Sequence, residues 1–248
     1  MNPHYDDFLA DHYTWMFGAP YPALVEEQLG ALRRAGVAEP SGTGLAVDLG
    51  CGSGFQSVAL ARLGYPSILA VDSSAKLLAE LELHATDHPA IRVVHDDLSQ
   101  VAANLPAGTV ELGVCMGDTL THLPDRRAVT QLFADLSAAL APGGRLILSF
   151  RDLTTSLTGT GRFIPVHADA DSILTCFLEY EPDVVTVHDL LHQRNGQRDW
   201  TLSASSYRKL RIAPEWVADQ LTEAGFRDVH QAPAPRRMTL LTAVRQES

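Results

Sequence analysis

The 248 residues carry 46% hydrophobic and 20% charged side chains at a mean hydropathy of -0.01. That balance suits one ordinary folded domain, two at most, and excludes a disordered chain. Thirty acidic against 19 basic residues give a net charge of -11, which opposes attraction to nucleic-acid phosphates and anionic membranes and leaves a small molecule as the expected partner.

In chain order, residues 1–40 come first, with aromatic residues at Tyr5, Phe8, Tyr13, Trp15, Phe17 and Tyr21 and a helix expected over Tyr21–Ala35. This segment reads either as a hydrophobic face packed on the domain or as a lid over a site. Short apolar runs rich in branched residues then recur at Leu45–Leu49, Ser67–Asp72, Ile91–His95, Val110–Cys115 and Arg145–Phe150. Continuous runs of this length predict strands buried on both faces, hence a parallel sheet. Helical periodicity lies between them at Gln56–Leu63, Ser74–His84 and Ala128–Ala141, the last stopped by a turn at Pro142-Gly143-Gly144. Strand, helix, strand at about 23-residue spacing is the pattern of βαβ units. Beyond Phe150 the pattern changes to alternation, at Ile173–Tyr180, Val184–His188 and Trp200–Ala204, with Asn195-Gly196 as a hairpin signal. These predict antiparallel strands inserted as a cap over 151–212. A helix over Ala213–Ala224 and strands at Arg227–Gln231 and Met238–Val244, flanking a Pro233-Ala-Pro235 break, complete a single domain with its sheet core at 44–150.

No run approaches the roughly 20 apolar residues of a membrane-spanning helix, and the N-terminus lacks a basic-then-apolar leader. Three widely spaced cysteines, Cys51, Cys115 and Cys176, imply no disulfide framework and a reducing, cytoplasmic setting. His84 and His88 stand four apart but lack a third ligand, so no metal is expected. Nothing in the chain sets its oligomeric state.

The chemistry concentrates in Asp48-Leu49-Gly50-Cys51-Gly52-Ser53-Gly54, a turn that leaves a strand and opens a helix. Glycines there allow positive φ and close approach of a ligand, and the helix start offers free N–H groups to an anion. The spacing is GxGxG, with Phe55 where a dinucleotide loop would want a third glycine; Phe55 and Asp48 both disfavour a pyrophosphate. Asp72 ends the next strand, where a carboxylate can accept ribose hydroxyls. Asp96 and Asp97 follow the third strand, and Met116, Gly117 and Asp118 the fourth.

With these residues in place, the sequence resembles the class I S-adenosylmethionine-dependent methyltransferases, well over residues 44–152 and loosely over 213–244. The Leu140–Leu148 turn into the fifth strand is part of the match. The resemblance implies an α/β, Rossmann-like three-layer sandwich with a seven-stranded, mostly parallel sheet whose last strand runs antiparallel. It implies S-adenosylmethionine as cofactor and methyl transfer to a nitrogen or oxygen of a small molecule. Gly50, Cys51, Gly52 and Gly54 would face its carboxylate end, Asp48 its ammonium, and Asp72 with Ser73 its ribose. Asp96 and the Asp97-Leu98 backbone would meet adenine, and Met116 with Gly117 the methionine moiety. A nicotinamide-dependent oxidoreductase and a non-catalytic S-adenosylmethionine-binding regulator are the alternatives.

Methyl transfer needs a nucleophile held in line, and a base only for a protonated acceptor. His122, Tyr13, His188 and His192 are the candidates, each also readable as a packing residue. Arg151 could hold an acceptor carboxylate or pair with Asp152 or Asp118. Glu179, Glu181, Asp183 and Asp189 read as solvated cap surface, with selection of a cationic or amine acceptor as the alternative.

Overall fold

A computed structural model of the chain describes residues 4–40, 44–196 and 199–246. After three short helical turns (Tyr5–Leu9, Ala10–His12 and Trp15–Phe17) comes α1 (Tyr21–Arg34). The core then alternates: β1 (Leu45–Leu49), α2 (Phe55–Arg62), β2 (Ser67–Asp72), α3 (Ala75–His84), β3 (Ile91–His95), α4 (Leu98–Ala103), β4 (Val110–Cys115), α5 (Arg126–Ala139) and β5 (Leu140–Phe150). Four strands follow, β6 (Phe163–Ala168), β7 (Ser172–Tyr180), β8 (Val184–Asn195) and β9 (Asp199–Leu210). The chain closes with α6 (Pro214–Glu223), β10 (Phe226–Ala234) and β11 (Met238–Arg245).

The seven-stranded sheet has the order β10-β11-β5-β4-β1-β2-β3, and β11 is antiparallel to both its neighbours, as the resemblance implied. Strands β1, β2, β4 and β5 are buried because helices cover both faces: Leu24, Leu32, Leu60, Ile68 and Leu81 pack on one side, and Leu132, Phe133, Leu148, Leu221 and Phe226 on the other. This is the three-layer α/β sandwich. Strands β6–β9 form a separate antiparallel sheet.

Four boundaries depart from the sequence reading. The expected turn at Pro142-Gly143-Gly144 falls within the span of β5 as an irregularity: Gly143 stands at φ +76°, and the register with β4 jumps from Leu140 opposite Val110 to Arg145 opposite Leu112. A Cβ at Gly144 would lie 2.8–3.2 Å from the carbonyl oxygens of Ala141, Val110 and Glu111, so glycine serves close backbone approach there. Helix α4 was not expected; Asp97 starts it by accepting the N–H groups of Ser99 and Gln100. Strand β8 runs on to Asn195 because burial keeps alternating beyond His188, and β8 pairs with β9 as far as Asn195 opposite Asp199, the hairpin that Asn195-Gly196 signals. Strand β10 passes through Pro233, which an edge strand tolerates.

Candidate functional site

The β1–α2 turn is held against β2 by two backbone hydrogen bonds, from the N–H groups of Gly50 and Cys51 to the Val71 carbonyl at 2.8 and 2.9 Å. Gly50 and Gly52 both lie in the left-handed region, at φ +72° and +53°. A Cβ at Gly50 would lie 2.2 Å from the Thr119 methyl, and one at Gly52 3.2 Å from the Tyr13 hydroxyl. Both positions are therefore cradles against neighbouring segments.

Asp72 fixes the turn from the next strand. Its Oδ2 accepts the Gly52 N–H at 2.8 Å and its Oδ1 the Ser74 N–H at 2.9 Å. Burial raises its pKa against the lowering effect of these N–H donors. Ser74 in turn caps α3, accepting from Leu77, and donates to Asp6 at 2.6 Å.

These groups wall a crevice of about 570 Å³ at the carboxyl ends of β1, β2 and β4, where ligands of open α/β sheets bind. Of the residues singled out from sequence, Tyr13, Gly50, Gly52, Asp72, Ser73, Asp97, Leu98, Gly117 and His122 line it. Others are placed elsewhere. Asp48 is fully buried behind the turn and accepts the Ser57 hydroxyl at 2.6 Å, so it does not face the crevice. Burial, only partly offset by Ser57 and reinforced by Asp72, pushes its pKa up to about 7. Asp96 accepts the Asp97 N–H at 2.7 Å and is not among the residues lining the crevice, whereas Asp97 is. Gly54 abuts Leu81, where a Cβ would lie 2.1 Å from the leucine methyl. Cys51 and Met116 face a second, smaller cavity on the α1 side.

Arg151 is committed elsewhere. Its N–H donates to Asp118 Oδ1 at 2.7 Å and its guanidinium pairs with Oδ2, which also takes the Lys209 ammonium at 2.8 Å. Burial would raise the Asp118 pKa, but Lys209 and Arg151 outweigh it and hold the carboxyl well below the usual range. Asp118 stands at φ +81°, unusual for a residue with a side chain. Arg151 lines neither cavity.

Beside Tyr5, which the sequence offered only as one aromatic of a candidate lid, the residues sequence reasoning missed come from distant segments. Tyr5 lines the crevice and its hydroxyl lies 3.1 Å from His122 Nε2. His122 stacks on Tyr207 of β9, with ring centroids 5.2 Å apart. Burial, then the nearby Lys209, lower the His122 pKa to about 3, so the ring is neutral. Burial also raises the Tyr13 phenol far above its ordinary value, keeping it a proton donor. The N-terminal turns are tied to α3 through Asp11 to Lys76 (2.9 Å) and Thr14 to Glu80, and to the β6–β7 connection through Trp15 to Asp169 (2.6 Å). Asp189, expected on the cap surface, is buried and faces His4 at 3.1 Å. His188 pairs with Glu179 on the cap and lines neither cavity.

Residues 46–144 match the family model described as a methyltransferase domain. The ubiquinone biosynthesis O-methyltransferase of Cupriavidus pinatubonensis is 32% identical over 103 residues, 42% of this chain and 39% of that protein. Its counterpart from Xanthomonas axonopodis pv. citri is 34% identical over 113 residues, 45% of this chain and 44% of that protein. The chain thus spans less than half the length of the curated relatives it matches. Among solved structures, the CcbJ methyltransferase of Streptomyces caelestis superposes with a TM-score of 0.77 at 20% identity, covering 98% of each chain. The sugar N-methyltransferase KedS8 of Streptoalloteichus superposes with a TM-score of 0.72 at 17% identity, covering 96% of this chain and 92% of that one. At such identities the likeness is one of fold.

Proposed function

We propose that this chain, whose residues 46–144 match a methyltransferase domain model, is a class I S-adenosylmethionine-dependent enzyme that methylates a nitrogen or oxygen of a small-molecule acceptor. The observation that carries the reading is a crevice of about 570 Å³ with the Gly50–Gly52 turn and Asp72 on one wall and Asp97 on another. The residues present fit the cofactor. The Asp72 carboxylate takes the N–H groups of Gly52, Ser73 and Ser74 and, with two lone pairs on each oxygen, keeps acceptor capacity for a ribose hydroxyl. Asp97 uses Oδ1 alone for capping, which leaves Oδ2 for an amino group at the adenine end. Gly50 and Gly117 border the amino-acid end.

When bound, S-adenosylmethionine would supply a methyl carbon already activated by its sulfonium. What remains for the protein is to hold the acceptor in line and exclude water, an orienting effect worth roughly 7–11 kcal/mol. Tyr5, Tyr13 and His122 form the crevice wall suited to that task. His122, neutral with a pKa of about 3, orients by hydrogen bonding and is too weak a base to carry away a proton at neutral pH. The proton lost by the acceptor leaves to solvent. The N-terminal turns act as the lid and β6–β9 as the acceptor cap of one domain. A cytoplasmic setting, with neither nucleic acid nor membrane as partner, accords with the free cysteines and the net charge of -11.

Calorimetry with S-adenosylmethionine and S-adenosylhomocysteine tests the first half: heat and a thermal shift with both are expected, and neither with NADH. A metabolite screen for S-adenosylhomocysteine production tests the second. Tight binding without turnover across a broad acceptor panel would favour a cofactor sensor, and no binding at all would overturn the assignment.

A further inference from the structure

The second cavity, of about 170 Å³, shares the wall Tyr13, Gly50 and Gly117 with the cofactor crevice. From that wall it extends over the ends of β4, β5 and β11, between α1 and the β10–β11 turn. Its body is apolar, built from Phe17, Phe55, Met116, Met238 and Leu240. Its charged lining is limited to Glu27, Arg34 and Arg236. In a chain of net charge -11, a cavity with two guanidinium groups against one carboxylate is a local reversal of sign.

Both arginines are placed by specific geometry. Glu27, Ala31 and Arg34 are spaced to share one face of α1, and the Arg34 guanidinium folds back within 3.2 Å of where a Gly30 side chain would begin. Arg34 has no ion pair or hydrogen bond among the described residues. Arg236 is oriented by Glu27 at 3.4 Å and lies over the Phe17 ring at 4.7 Å. Arg236 and Arg237 are consecutive residues with side chains in the left-handed region, at φ +61° and +58°. Strain of this kind persists where the surroundings over-determine it, and it concentrates at ligand sites.

We infer that this cavity is a subsite for the far end of the acceptor and that it selects a single-ring or similarly small apolar molecule bearing one carboxylate, with the ring beside the touching Phe17–Phe55 pair and against Met116, Met238 and Leu240, and the carboxylate at Arg34 and Arg236. The inference rests on the methyl-transfer reading and deepens it. The volume admits about one ring and lies below the usual range for a whole cofactor. A planar guanidinium fork suits a carboxylate better than any neutral group. The wall shared with the crevice adjoins the amino-acid end of the proposed cofactor site, which brings the acceptor's reacting end toward the transferable methyl.

The test uses the full chain saturated with S-adenosylhomocysteine, titrated with benzoate and 3-hydroxybenzoate and with the matched neutral probes benzamide and 3-hydroxybenzamide. The acids are expected to bind about tenfold tighter than the amides, the usual worth of a charge-assisted hydrogen bond. Arg34→Ala and Arg236→Gly, the latter keeping a backbone that tolerates positive φ, should each erase most of that preference. Amide affinity and S-adenosylhomocysteine affinity should stay within about twofold, since neither arginine lines the crevice. Equal binding of acids and amides, no binding of either, or a preference that survives both substitutions overturns the inference. Loss of S-adenosylhomocysteine affinity in the arginine variants also overturns it, by placing the cofactor's own carboxylate in the cavity while methyl transfer stands. Failure of the unaltered chain to bind S-adenosylhomocysteine instead removes the methyl-transfer reading, and this inference with it.

Discussion

Asp48 gives the sharpest test of the electrostatics around the glycine turn. Its carboxyl is buried and its pKa is pushed from 3.8 to about 7. The unfolded chain therefore ionises this group at lower pH than the folded one, and the folded state binds the extra proton between pH 3.8 and about 7. Stability consequently falls as pH rises through that window, by about 1.4 kcal/mol per pH unit. The penalty reaches about 1.5–2 kcal/mol at pH 5 and about 4 kcal/mol above pH 7. Asp48→Asn removes the titration while its amide oxygen still accepts the Ser57 hydroxyl. Any packing or hydrogen-bonding offset of the variant is independent of pH, so the change between two pH values isolates the ionisation. From pH 5 to pH 8 the variant should gain about 2–3 kcal/mol on the parent. For a chain of this length that is a relative rise of about 4–12 °C in melting temperature. Parallel urea melts at the two pH values in the ligand-free protein measure it. A stability difference that stays constant from pH 5 to pH 8 would show that Asp48 ionises normally, and the account of its burial would fail.

Four further outcomes follow from the crevice and the Asp118 turn beside it. Asp72→Ala should weaken S-adenosylhomocysteine binding by about 1.5–3 kcal/mol by calorimetry, the worth of a hydrogen bond to a charged group; unchanged affinity would remove Asp72 from the site. Asp118→Asn should cost about 3–5 kcal/mol in denaturant melts, because it strands the nearly buried Lys209. Lys209→Met should cost less, since the half-exposed Arg151 still compensates Asp118. The turnover rate should show no ionisation between pH 6 and 9 assignable to His122, whose pKa is about 3; a limb in that range abolished by His122→Gln would restore it as a base.

The strands of the cofactor half were legible because they are buried on both faces, so Ala46–Leu49 and Ile68–Val71 are near-unbroken apolar runs. Asp72 was legible from position alone, since the end of a parallel strand has only one place to point its functional groups. Asp48 was misplaced by the same reasoning: it lies inside β1, and side chains alternate along a strand, which sends it behind the turn toward Ser57 instead of forward. The choice between Asp96 and Asp97 depended on which of the two caps α4, a short helix with too few residues to show a period. Tyr5, Tyr207 and Lys209 carry no local signal because their partners are far away in sequence: 117 residues separate Tyr5 from His122, and 91 separate Lys209 from Asp118. Arg236 and Arg237 read in sequence as a solvated basic pair, since their left-handed backbone lacks the glycine or asparagine that normally announces it.

The Asp118 triad ties the cap to the turn that follows β4. Gly117, which borders both cavities, donates its N–H to the Ser149 hydroxyl of β5, and the next residue donates to the Ser149 carbonyl. That residue is Asp118, held in its left-handed turn by Arg151 at the end of β5 and by Lys209 from the cap strand β9. A hydrophobic trio could match the stability of such a buried cluster, since desolvation consumes most of the Coulombic gain. What apolar side chains lack is direction. Two cations converging on one carboxylate fix the turn, and with it both cavity walls, relative to the cap. His122, four residues on, inherits that placement and meets Tyr207 two residues before Lys209 on the same strand. The ionic cluster therefore acts on register more than on stability, so Lys209→Met should disturb acceptor alignment more than its cost in melting predicts.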